Sequence, residues 1–577
     1  MKTHPIVLAL CLSFALALST AATGCKTTRG TRPAEEAGAA AGAQPSLPAV
    51  ATEVSAEGEP VSGDWLVRNL GSNPPTLNPI LSNDTSSGAV LAFLFESLVE
   101  RDLKTLDYKP LLAESWTVGE DQRTFTFRIR QGVKFHDGTP MTIEDVVFSY
   151  ERMLDPEVDA AEKRSYFSQL EHIRQTGPDT IECKYKEVYF LALAICGSVE
   201  IIPRHYYGGA KGKAFNTQPA NEKPVGTGPL RFVEWKRGET LTLARFDGYW
   251  GPKDQQLNVE RMLFRFIVDP EAEFINFTKG DQDTLAVRPE KWFREAAEPG
   301  FASKFHRLEF DFPAYFYIGW NMRKPQFADA NTRVALHHLI DRDLIARQIY
   351  RGLARPINSI EFDKSPYWNP HLATRTYDPQ KAAALLAQAG WTDSDGDGIL
   401  DRDGQRLEFT LLIVQGNPEG EQLATNFQDT LKRAGIRLNI AMLDWANLLK
   451  KLDKRDFDAA MLGWALSVDP DPYQLWHSSQ AGIEGSSNYP GFRNPRVDEL
   501  IEMNRRELDR DRRIPILQEI QKIIYDEAPY LFLFSRRSTL AVSNRFRNIR
   551  FYTPRPCIDY REWFVPRQLQ KYTPVSP

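Results

Sequence analysis

Hydrophobic and polar positions alternate most regularly between residues 124 and 153. Over residues 125–129 every second side chain is Phe or Ile and the others are Thr or Arg, as in a strand with one buried face. Asp137-Gly138 predicts a turn after this strand, because glycine accepts positive φ. From Thr142, a candidate N-cap, apolar residues recur at helical spacing. The stretch therefore predicts a strand, a turn and a capped helix in succession.

The rest of the chain alternates between the same two periods. Residues 315–321 read YFYIGWN, as in a strand covered on both faces. Residues 330–350 predict one long helix. After residue 378, helical and strand segments follow one another in the order typical of an α/β domain.

The composition limits the classes of protein to which the chain can belong. Its 577 residues are too many for one ordinary core, so several lobes are expected. With 42% hydrophobic and 25% charged residues, the composition is that of a globular protein. The formal net charge of -5 provides no basic excess for neutralising phosphates, which argues against nucleic acid as a partner.

The N-terminus has the layout of a secretory signal. Lys2 precedes an apolar run from Ile6 to Leu18, which is short for a membrane span, and the small residues 21–24 follow it. The sequence ATGC, ending at Cys25, resembles a bacterial lipobox, which implies acylation of Cys25; the alternative is an ordinary signal peptide with an incidental cysteine. Residues 26–62 have too few large apolar side chains to form a core and predict a flexible tether.

The remaining cysteines do not predict a disulfide-built scaffold. After loss of the signal and acylation of Cys25, only Cys183, Cys196 and Cys557 are left, an odd number. Cys183 and Cys196 either pair in an oxidising compartment or are two small buried residues. No Cys-x-x-Cys pair occurs, which argues against structural zinc.

Five segments resemble, in their order along the chain, family 5 of the extracytoplasmic solute-binding proteins, the receptors of peptide, dipeptide and nickel ABC importers. They are PLLAESWTV, FRIRQGVKFHDGTPMTIEDVVFSYERM, VGTGPLRFVEW, FDGYWG and the segment from Gly463-Trp464 to Asp471-Pro472. The resemblance implies an α/β fold of the periplasmic-binding-protein type II class (cluster C), with three lobes and a ligand cleft between the first and the third.

The resemblance also implies how the chain is divided. The expected segments are a lipoprotein signal and lipobox at 1–25, a tether at 26–62, lobe I at 63–95, 223–320 and 538–577, lobe II at 96–222, and lobe III at 321–537. Lobe II is expected to be structural. The mature protein is expected to be a membrane-anchored lipoprotein in the periplasm or at the cell surface, held to lipid through acylated Cys25.

Three groups of residues are expected to contact the ligand. The resemblance places the first-lobe loop LNPILSNDTSSGAV beside the ligand, residues 315–321 at the hinge, and the segment 457–487 where the family meets its ligand. Polar and aromatic residues in a loop between α/β elements are typical of binding sites. The predicted ligand-binding residues are Asn83, Asp84, Thr85, Tyr317, Asn321, Trp464, Asp469, Asp471, Tyr473 and Trp476.

One position departs from the family pattern. In peptide-binding relatives, an acid four residues before the proline of an Asp/Glu-Pro pair binds the α-ammonium of the peptide. Counting back from Pro470 reaches Leu466, which is apolar. The resemblance therefore implies that this chain does not hold a peptide by its amine in the usual way, unless Asp469 or Asp471 replaces the missing acid.

The acidic loop after residue 392 fits part of a calcium-loop template. Asp393, Asp395, Asp397 and Asp401 stand at positions 1, 3, 5 and 9 with glycine at 6, whereas position 12 is Gly404 in place of a bidentate Glu. These four residues are a candidate structural calcium site. The alternative, implied by the resemblance, is a DGDG turn that only joins a helix to a strand.

The resemblance implies a binding protein and no enzyme. The expected function is the substrate-binding component of an ABC importer, which captures a small solute, most plausibly a peptide, and delivers it to permease subunits. The sequence has no GxSxG or HExxH motif. The alternatives are a receptor for nickel, a metallophore or another non-peptide solute, for which only His477 lies in the closing segment, and a surface-interaction lipoprotein without a transport role.

Overall fold

A computed structural model of the protein describes residues 50–55, 58–82, 84–160, 163–164, 166–167, 169–483, 486–553 and 556–572. The signal segment, Cys25 and Asn83 lie outside the described residues, so what was expected of them stays a prediction. Among the described residues, no helix is both long enough and apolar enough to cross a membrane.

Strands and short-to-medium helices alternate along the described part of the chain. The strands are Trp65–Asn69 (β1), Val99–Arg101 (β2), Tyr108–Pro110 (β3), Ala113–Val118 (β4), Thr124–Ile129 (β5), Leu170–Gln175 (β6), Thr180–Tyr185 (β7), Leu230–Lys236 (β8), Thr240–Arg245 (β9), Arg261–Arg265 (β10), Thr284–Ala286 (β11), Phe305–Asp311 (β12), Ala314–Trp320 (β13), Ala354–Pro356 (β14), Asp401–Arg402 (β15), Gln405–Arg406 (β16), Glu408–Val414 (β17), Arg437–Leu443 (β18), Ala459–Ala465 (β19), Tyr530–Phe532 (β20) and Phe534–Ser543 (β21). The α-helices are Thr85–Leu91, Ile143–Leu154, Ala192–Gly197, Arg204–Tyr207, Pro270–Lys279, Pro289–Phe293, Pro299–Ala302, Ala330–His338, Arg342–Gln348, Pro379–Gln388, Pro418–Arg433, Trp445–Asp453, Tyr473–Trp476, Pro495–Arg506 and Arg510–Glu527.

Four larger sheets and two two-stranded sheets, β2-β3 and β15-β16, organise these elements in the described part of the chain. The first lobe contains the sheet β1-β10-β9-β8 and a second sheet, β11-β21-β12, and the second lobe contains the antiparallel sheet β4-β5-β7-β6. The third lobe is built on β18-β17-β19-β13-β20, in which β17 runs parallel to β18 and β19. The mixed α/β architecture expected from the sequence is confirmed.

The strand, turn and helix predicted from the alternating stretch are confirmed. β5 covers Thr124–Ile129, Gly138 has a φ of 87°, and the helix Ile143–Leu154 begins after Thr142. The Asp145 carboxylate accepts hydrogen bonds from the Thr142 backbone N–H (2.8 Å) and hydroxyl (3.0 Å), which ties the first turn to its cap. Asp145 also accepts from the backbone N–H of Arg204 at 2.8 Å, so the start of the helix is fixed to a segment 59 residues further along the chain.

The first and second lobes share one continuous core, whereas the third lobe has its own. Buried residues from β1, β5, the helix Ile143–Leu154 and the C-terminal segment belong to a single hydrophobic cluster. In the third lobe the two faces of the sheet carry separate clusters: Tyr315 and Tyr317 of β13 face one, and Ile318 and Trp320 face the other. The molecule therefore has two main bodies, formed by the first two lobes together and by the third.

The expected boundary between lobe I and lobe III at residue 320 is wrong. β13 hydrogen-bonds to β19 from Ala314 to Trp320 and to β20 on its other side, so it lies inside the third-lobe sheet. The long helix expected over residues 330–350 is also interrupted. Its first part ends at His338, and Asp341 caps a second helix by accepting the backbone N–H of Leu344 at 2.8 Å.

The last part of the expected tether is attached to the folded protein. Ala51 forms a parallel bridge with Leu308, and Val54 an antiparallel bridge with Ile549. The composition of residues 26–62 predicts no core of its own, but it does not exclude pairing with strands already present. The expectation of a flexible tether is therefore wrong at these positions.

Buried charges join distant parts of the chain inside the first lobe. Arg545 forms ion pairs with Asp64 and, at 2.7 Å, with Asp283. Asp283 accepts the backbone N–H of Val67 at 2.8 Å, and Asp64 accepts the N–H groups of Lys571 and Tyr572 at 3.0 and 3.1 Å. All three charged side chains are at least nine-tenths buried. Charges so far from water are stable only as a complete set.

The two open possibilities for Cys183 and Cys196 are resolved in favour of a disulfide. The bond joins β7 to the helix Ala192–Gly197, and both residues are fully buried. Cys557 is buried and is not in a disulfide.

The motif VGTGPL is a site of close backbone approach. A Cβ atom on Gly226 would lie 2.0 Å from the Leu94 carbonyl oxygen, and one on Gly228 would lie 2.4 Å from the Phe93 carbonyl oxygen. The partners are backbone atoms, which cannot rotate away. The two glycines therefore allow two segments of the first lobe, at residues 93–94 and 226–228, to pack against each other.

A buried carboxyl in the third lobe has no cation beside it among its described contacts. Glu361 is 4% exposed, and burial raises its pKa to about 8, opposed only by a hydrogen bond with Ser365. Glu96, at the start of the second lobe, is similar, since burial raises its pKa to about 7 although Trp250 and Tyr249 donate hydrogen bonds to it. Both carboxyls are therefore protonated more readily in the folded chain than in the unfolded chain.

The first prediction concerns the glycine contact. We expect Gly226→Ala to lower the free energy of unfolding by about 2 kcal/mol or more, because the added methyl group overlaps a fixed carbonyl. Gly88→Ala is the matched control, since Gly88 is helical with no atom within 4 Å of an added Cβ, and it should be neutral or stabilising. Chemical denaturation of both variants tests this; equal stability of the two would contradict the packing argument.

The second prediction concerns pH. The unfolded chain ionises Glu361 near its ordinary pKa of 4.5 and the folded chain only near 8, so this group favours folding most below pH 4.5 and loses that contribution as the pH rises to 8. We expect Glu361→Gln to be more stable than the wild type at pH 8, by on the order of a few kcal/mol, and the difference to shrink towards pH 4.5.

Denaturation series over this pH range measure the effect. Glu120→Gln, which changes a carboxylate near the surface turn before β5, is the control and should follow the wild type throughout. If the free energy of unfolding varied with pH in the same way for the wild type and Glu361→Gln, Glu361 would ionise in the folded protein as it does in water.

Candidate functional site

Two extended segments connect the third lobe to the rest of the molecule. The first leads from β12, which ends at Asp311, to β13, and the second leads from β20 to β21. At the second segment Arg537 is paired with Asp311 in the first-lobe sheet, and residues 534–536 pair with β14 of the third lobe. Asp311 also forms ion pairs with Arg355 at 2.9 Å and with Lys364. These crossings place the two bodies side by side.

Asp469 forms the main polar contact between the bodies away from the crossings. It lies in the loop that follows β19, and its Oδ2 meets Nη2 of Arg101, at the end of β2, at 2.8 Å. On its own lobe, Oδ1 accepts from Arg513 at 3.0 Å and from the Tyr367 hydroxyl at 2.9 Å, and Arg510 lies 3.6 Å away. The Asp469 side chain is about nine-tenths buried, so the loop after β19 is fixed to the second lobe.

The electrostatics of this junction favour an ionised Asp469. Burial alone would raise the pKa of the carboxyl, but Arg101, Arg513 and Arg510 together outweigh burial and hold the pKa below its ordinary value. Arg101 is in turn fixed by a hydrogen bond to the Leu106 carbonyl at 2.9 Å and by stacking over the Tyr108 ring at 4.3 Å. The junction is thus a set of charged groups that remain charged at neutral pH.

A second polar contact lies two residues further along the same loop. The Tyr189 hydroxyl of the second lobe donates to Asp471 at 2.9 Å, and Arg505 of the third lobe meets the same oxygen at 3.1 Å. The backbone N–H of Phe190 donates to the Arg505 carbonyl at 3.0 Å, and the Arg513 guanidinium lies over the Phe190 ring at 4.0 Å. The segment 187–190 and the loop after β19 therefore face each other.

Several residues predicted to bind ligand belong to the third-lobe core. Trp476 is fully buried against Phe492 and Tyr530, and Tyr317 is stacked on Tyr530 with ring centroids 3.7 Å apart. Trp464 is 8% exposed and donates to the Tyr530 hydroxyl at 3.4 Å. The aromatic pattern that suggested stacking on a ligand is accounted for by packing.

Asn321 and Tyr473 also have contacts within the third lobe. The Asn321 amide donates to the Phe457 carbonyl at 2.9 Å and is 1% exposed, so it fixes the chain after β13. Tyr473 shares a hydrogen bond with Ser479 at 3.2 Å and stacks on His477 at 4.5 Å. Its ring also lies under Arg505 at 4.4 Å, which connects it to the Asp471 contact.

The structure does not join the predicted first-lobe residues to the third-lobe loop. Asp84 caps the helix Thr85–Leu91 by accepting the backbone N–H of Ser87 at 2.9 Å, and Thr85 is exposed. Among the described residues, neither makes a hydrogen bond or ion pair with residues 464–476. Across to the other body, Asp469 and Asp471 of that loop contact Arg101 and Tyr189 of the second lobe, the lobe expected to be structural only.

The residues that the sequence did not reveal are the partners of the two aspartates. Arg101, Tyr189, Tyr367, Arg510 and Arg513 occur in no recognisable motif, and Arg101 is 368 positions from Asp469. Arginines are frequent near residue 510, but the amphipathic pattern there indicates only a charged helix. Nothing local to the sequence signals that these side chains meet.

Leu466, the apolar residue at the position of the expected acid, lies close to where the two bodies are joined. It is half-buried, and its backbone N–H donates to the Pro313 carbonyl at 2.8 Å beside the first crossing. Asp469 and Asp471, the two acids that could replace the missing one, each already contact an arginine. Neither is therefore free to pair with a ligand ammonium in this conformation.

The acidic loop brings three of its four predicted ligands together. Oxygens of Asp393, Asp395 and Asp401 all lie within 4.8 Å of one another, and Arg406 forms ion pairs with both Asp395, at 3.7 Å, and Asp397. Asp393 accepts the backbone N–H groups of Gly396 and Gly398 at 2.8 and 3.1 Å, so the loop is already ordered by its own hydrogen bonds. Calcium binding at this loop stays a prediction.

A cavity of about 420 Å³ lies in the second lobe, away from the loop after β19. It is lined by the helix Ile143–Leu154 and by β6 and β7, with Arg152 and Asp155 at 3.5 Å from each other on its wall. None of the predicted ligand-binding residues lines it.

Known proteins resemble the chain in sequence and in fold. The oligopeptide-binding protein AppA of Bacillus subtilis is 31% identical over 515 residues, covering 87% of this chain and 92% of AppA. The dipeptide-binding protein of Escherichia coli is 26% identical over 495 residues, covering 82% and 89%. The structure of Bacillus subtilis AppA in complex with a nonapeptide superposes with a TM-score of 0.74 at 29% identity, over 88% of this chain and all of that chain.

A more distant structure shares the fold alone. NikA of Brucella suis in complex with Fe(III)-EDTA gives a TM-score of 0.76 at 23% identity, over 87% of this chain and all of that chain.

The family itself is identified over most of the chain. The family described as bacterial extracellular solute-binding proteins, family 5 (Middle), matches residues 107–485, which include most of the second lobe, β13 and the loop after β19. The chain thus belongs to the family 5 bacterial extracellular solute-binding proteins.

Proposed function

We propose that this protein is the substrate-binding component of a peptide ABC importer. The observation that carries the proposal is the similarity, over nearly the whole chain, to an oligopeptide-binding protein with 31% identity. The architecture is compatible with such a role, because two bodies joined by two crossings can open and close around a guest. No bond needs to be made or broken, so the proposed activity is binding without catalysis.

The two aspartates of the loop after β19 would couple closure to binding. When the bodies approach each other, Arg101 of the second lobe forms an ion pair with Asp469, and Tyr189 donates a hydrogen bond to Asp471. Contacts formed only in the closed state stabilise that state, and a ligand held between the lobes adds to them. The closed shape is then what a permease would recognise.

The ligand contacts of the third lobe would come from backbone and aromatic edges near Leu466. We propose Leu466, Asp469 and Asp471 as the third-lobe rim of the cleft, with Asn83, Asp84 and Thr85 on the first-lobe side. Because the acid that would pair with a peptide amine is replaced by Leu466, the peptide would be held mainly through other groups.

We also propose that acylated Cys25 anchors the receptor to a membrane. The lipobox-like sequence before Cys25 supports this, and so does the attachment of Ala51 and Val54 to the first lobe, which would keep the anchor close to the folded body.

The third prediction tests the function itself. Peptides that bind only the folded protein should raise its apparent melting midpoint by a few degrees when present well above their Kd. Dipeptides and longer peptides should be compared with nickel and calcium by thermal shift, and any co-purified solute identified by mass spectrometry. A shift with nickel and none with peptides would contradict the peptide assignment.

The fourth prediction tests closure. Tyr189→Phe removes one hydrogen bond between the bodies but leaves the Asp471–Arg505 pair in the third lobe intact. We expect peptide binding to weaken about 10-fold, as for a hydrogen bond to a charged group, with little change in melting midpoint. Calorimetry measures the affinity.

Tyr206→Phe is the matched control. The Tyr206 hydroxyl donates to the Lys223 carbonyl at 2.8 Å within the first body, so its loss should leave affinity unchanged. Equal effects of the two variants on affinity would argue against a role for the Tyr189 contact in closure.

A further inference from the structure

The junction around Asp469 holds more positive than negative charge. Three guanidiniums, those of Arg101, Arg513 and Arg510, lie 2.8, 3.0 and 3.6 Å from this one carboxylate. Asp469 can balance only one of them. The ion pairs at the junction therefore leave two positive charges without a carboxylate of their own.

Neighbouring acids are engaged elsewhere. Asp471 forms an ion pair with Arg505. Because this pair has no net charge, it does not balance the three guanidiniums. Asp509 accepts the backbone N–H groups of Asp511 and Arg512 at 2.8 and 3.2 Å, where it caps the helix Arg510–Glu527. Neither carboxylate meets the Arg101, Arg510 or Arg513 side chains in an ion pair among the described contacts.

Arg513 also has hydrogen-bond donors that are not used. Its side chain is only 4% exposed, and both Nε and Nη1 are buried without a hydrogen-bond partner among the described residues, although the ring of Phe190 covers one face of the guanidinium. Leaving buried donors of a charged group unsatisfied is unfavourable, and native structures keep few of them. A surplus of charge and unused donors at one place both indicate an anion that completes the site.

We propose that Arg101, Arg510 and Arg513 form a subsite for a carboxylate of the captured peptide. This rests on the proposed function and names the group by which the peptide is oriented. Arg510 is one-third exposed, so an anion from solvent can reach the subsite at this arginine, and guanidiniums bind carboxylates through paired N–H donors. A receptor that lacks the acid for the peptide amine at Leu466 would then select its ligand by the opposite charge.

The carboxylate can come from the C-terminus or from an acidic side chain, and peptides distinguish the two sources. One dipeptide and one nonapeptide are each prepared in four versions, which combine a free or amidated C-terminus with Asp or Asn at one position. The affinity of each version is measured by calorimetry. We expect removal of the recognised carboxylate to weaken binding about 10-fold or more, and removal of the other to have little effect.

Arg510→Gln tests the residue assignment. Arg510 is partly exposed and stands farthest of the three arginines from Asp469, at 3.6 Å, so the fold should tolerate the change, which the melting midpoint verifies. This variant should lose about 10-fold in affinity for the preferred peptide and should discriminate less between the charged and neutral forms. Arg512→Gln, an exposed neighbour in the same helical turn, is the control and should behave as the wild type.

The outcomes separate this inference from the proposed function. If the four peptides bind wild type equally, or if Arg510→Gln keeps full discrimination, the carboxylate subsite is wrong while peptide binding stands. If none of the peptides binds at either length, the proposed function fails, and the subsite fails with it.

Discussion

The arrangement of the molecule depends on a carboxylate that one body cannot satisfy alone. Asp469 is buried in the third lobe, and one of its oxygens is paired with Arg101 from the other body. A buried carboxylate with a missing partner is costly, so the loop after β19 has its complete set of contacts only when the bodies are together. The hydrogen bond from the Leu466 backbone N–H to the Pro313 carbonyl places the same loop next to the first crossing between the bodies.

Much of the fold could be predicted from the sequence because the local patterns and the tertiary environment agree. β5 and the helix that follows it have the expected period, cap and turn, and the glycines at 226 and 228 stand where backbones touch. The failures come from contacts beyond the local window. Whether β13 belongs to the first or third lobe depends on which strands flank it, and alternation alone carries no information about partners.

The site was less predictable, for a related reason. Tryptophan side chains such as those of Trp464 and Trp476 can stack on a ligand, but they are equally suited to the core that they occupy. Asp469 and Asp471 were identified as important from their place in the family segment, whereas their partners Arg101 and Tyr189 are hundreds of residues away. Charge pairing over such distances leaves no periodic trace, so only the assembled fold reveals it.

The buried charges of the first lobe have a consequence for the biosynthesis of the protein. Asp64 and Asp283 are both synthesised before Arg545, which forms ion pairs with both and follows Asp283 by 262 residues. Until that arginine arrives, the sheet that contains β1 has to bury uncompensated carboxylates, which keeps it unfolded. A chain still emerging from the ribosome, or still crossing a membrane in extended form, would thus stay threadable until Arg545 has been released.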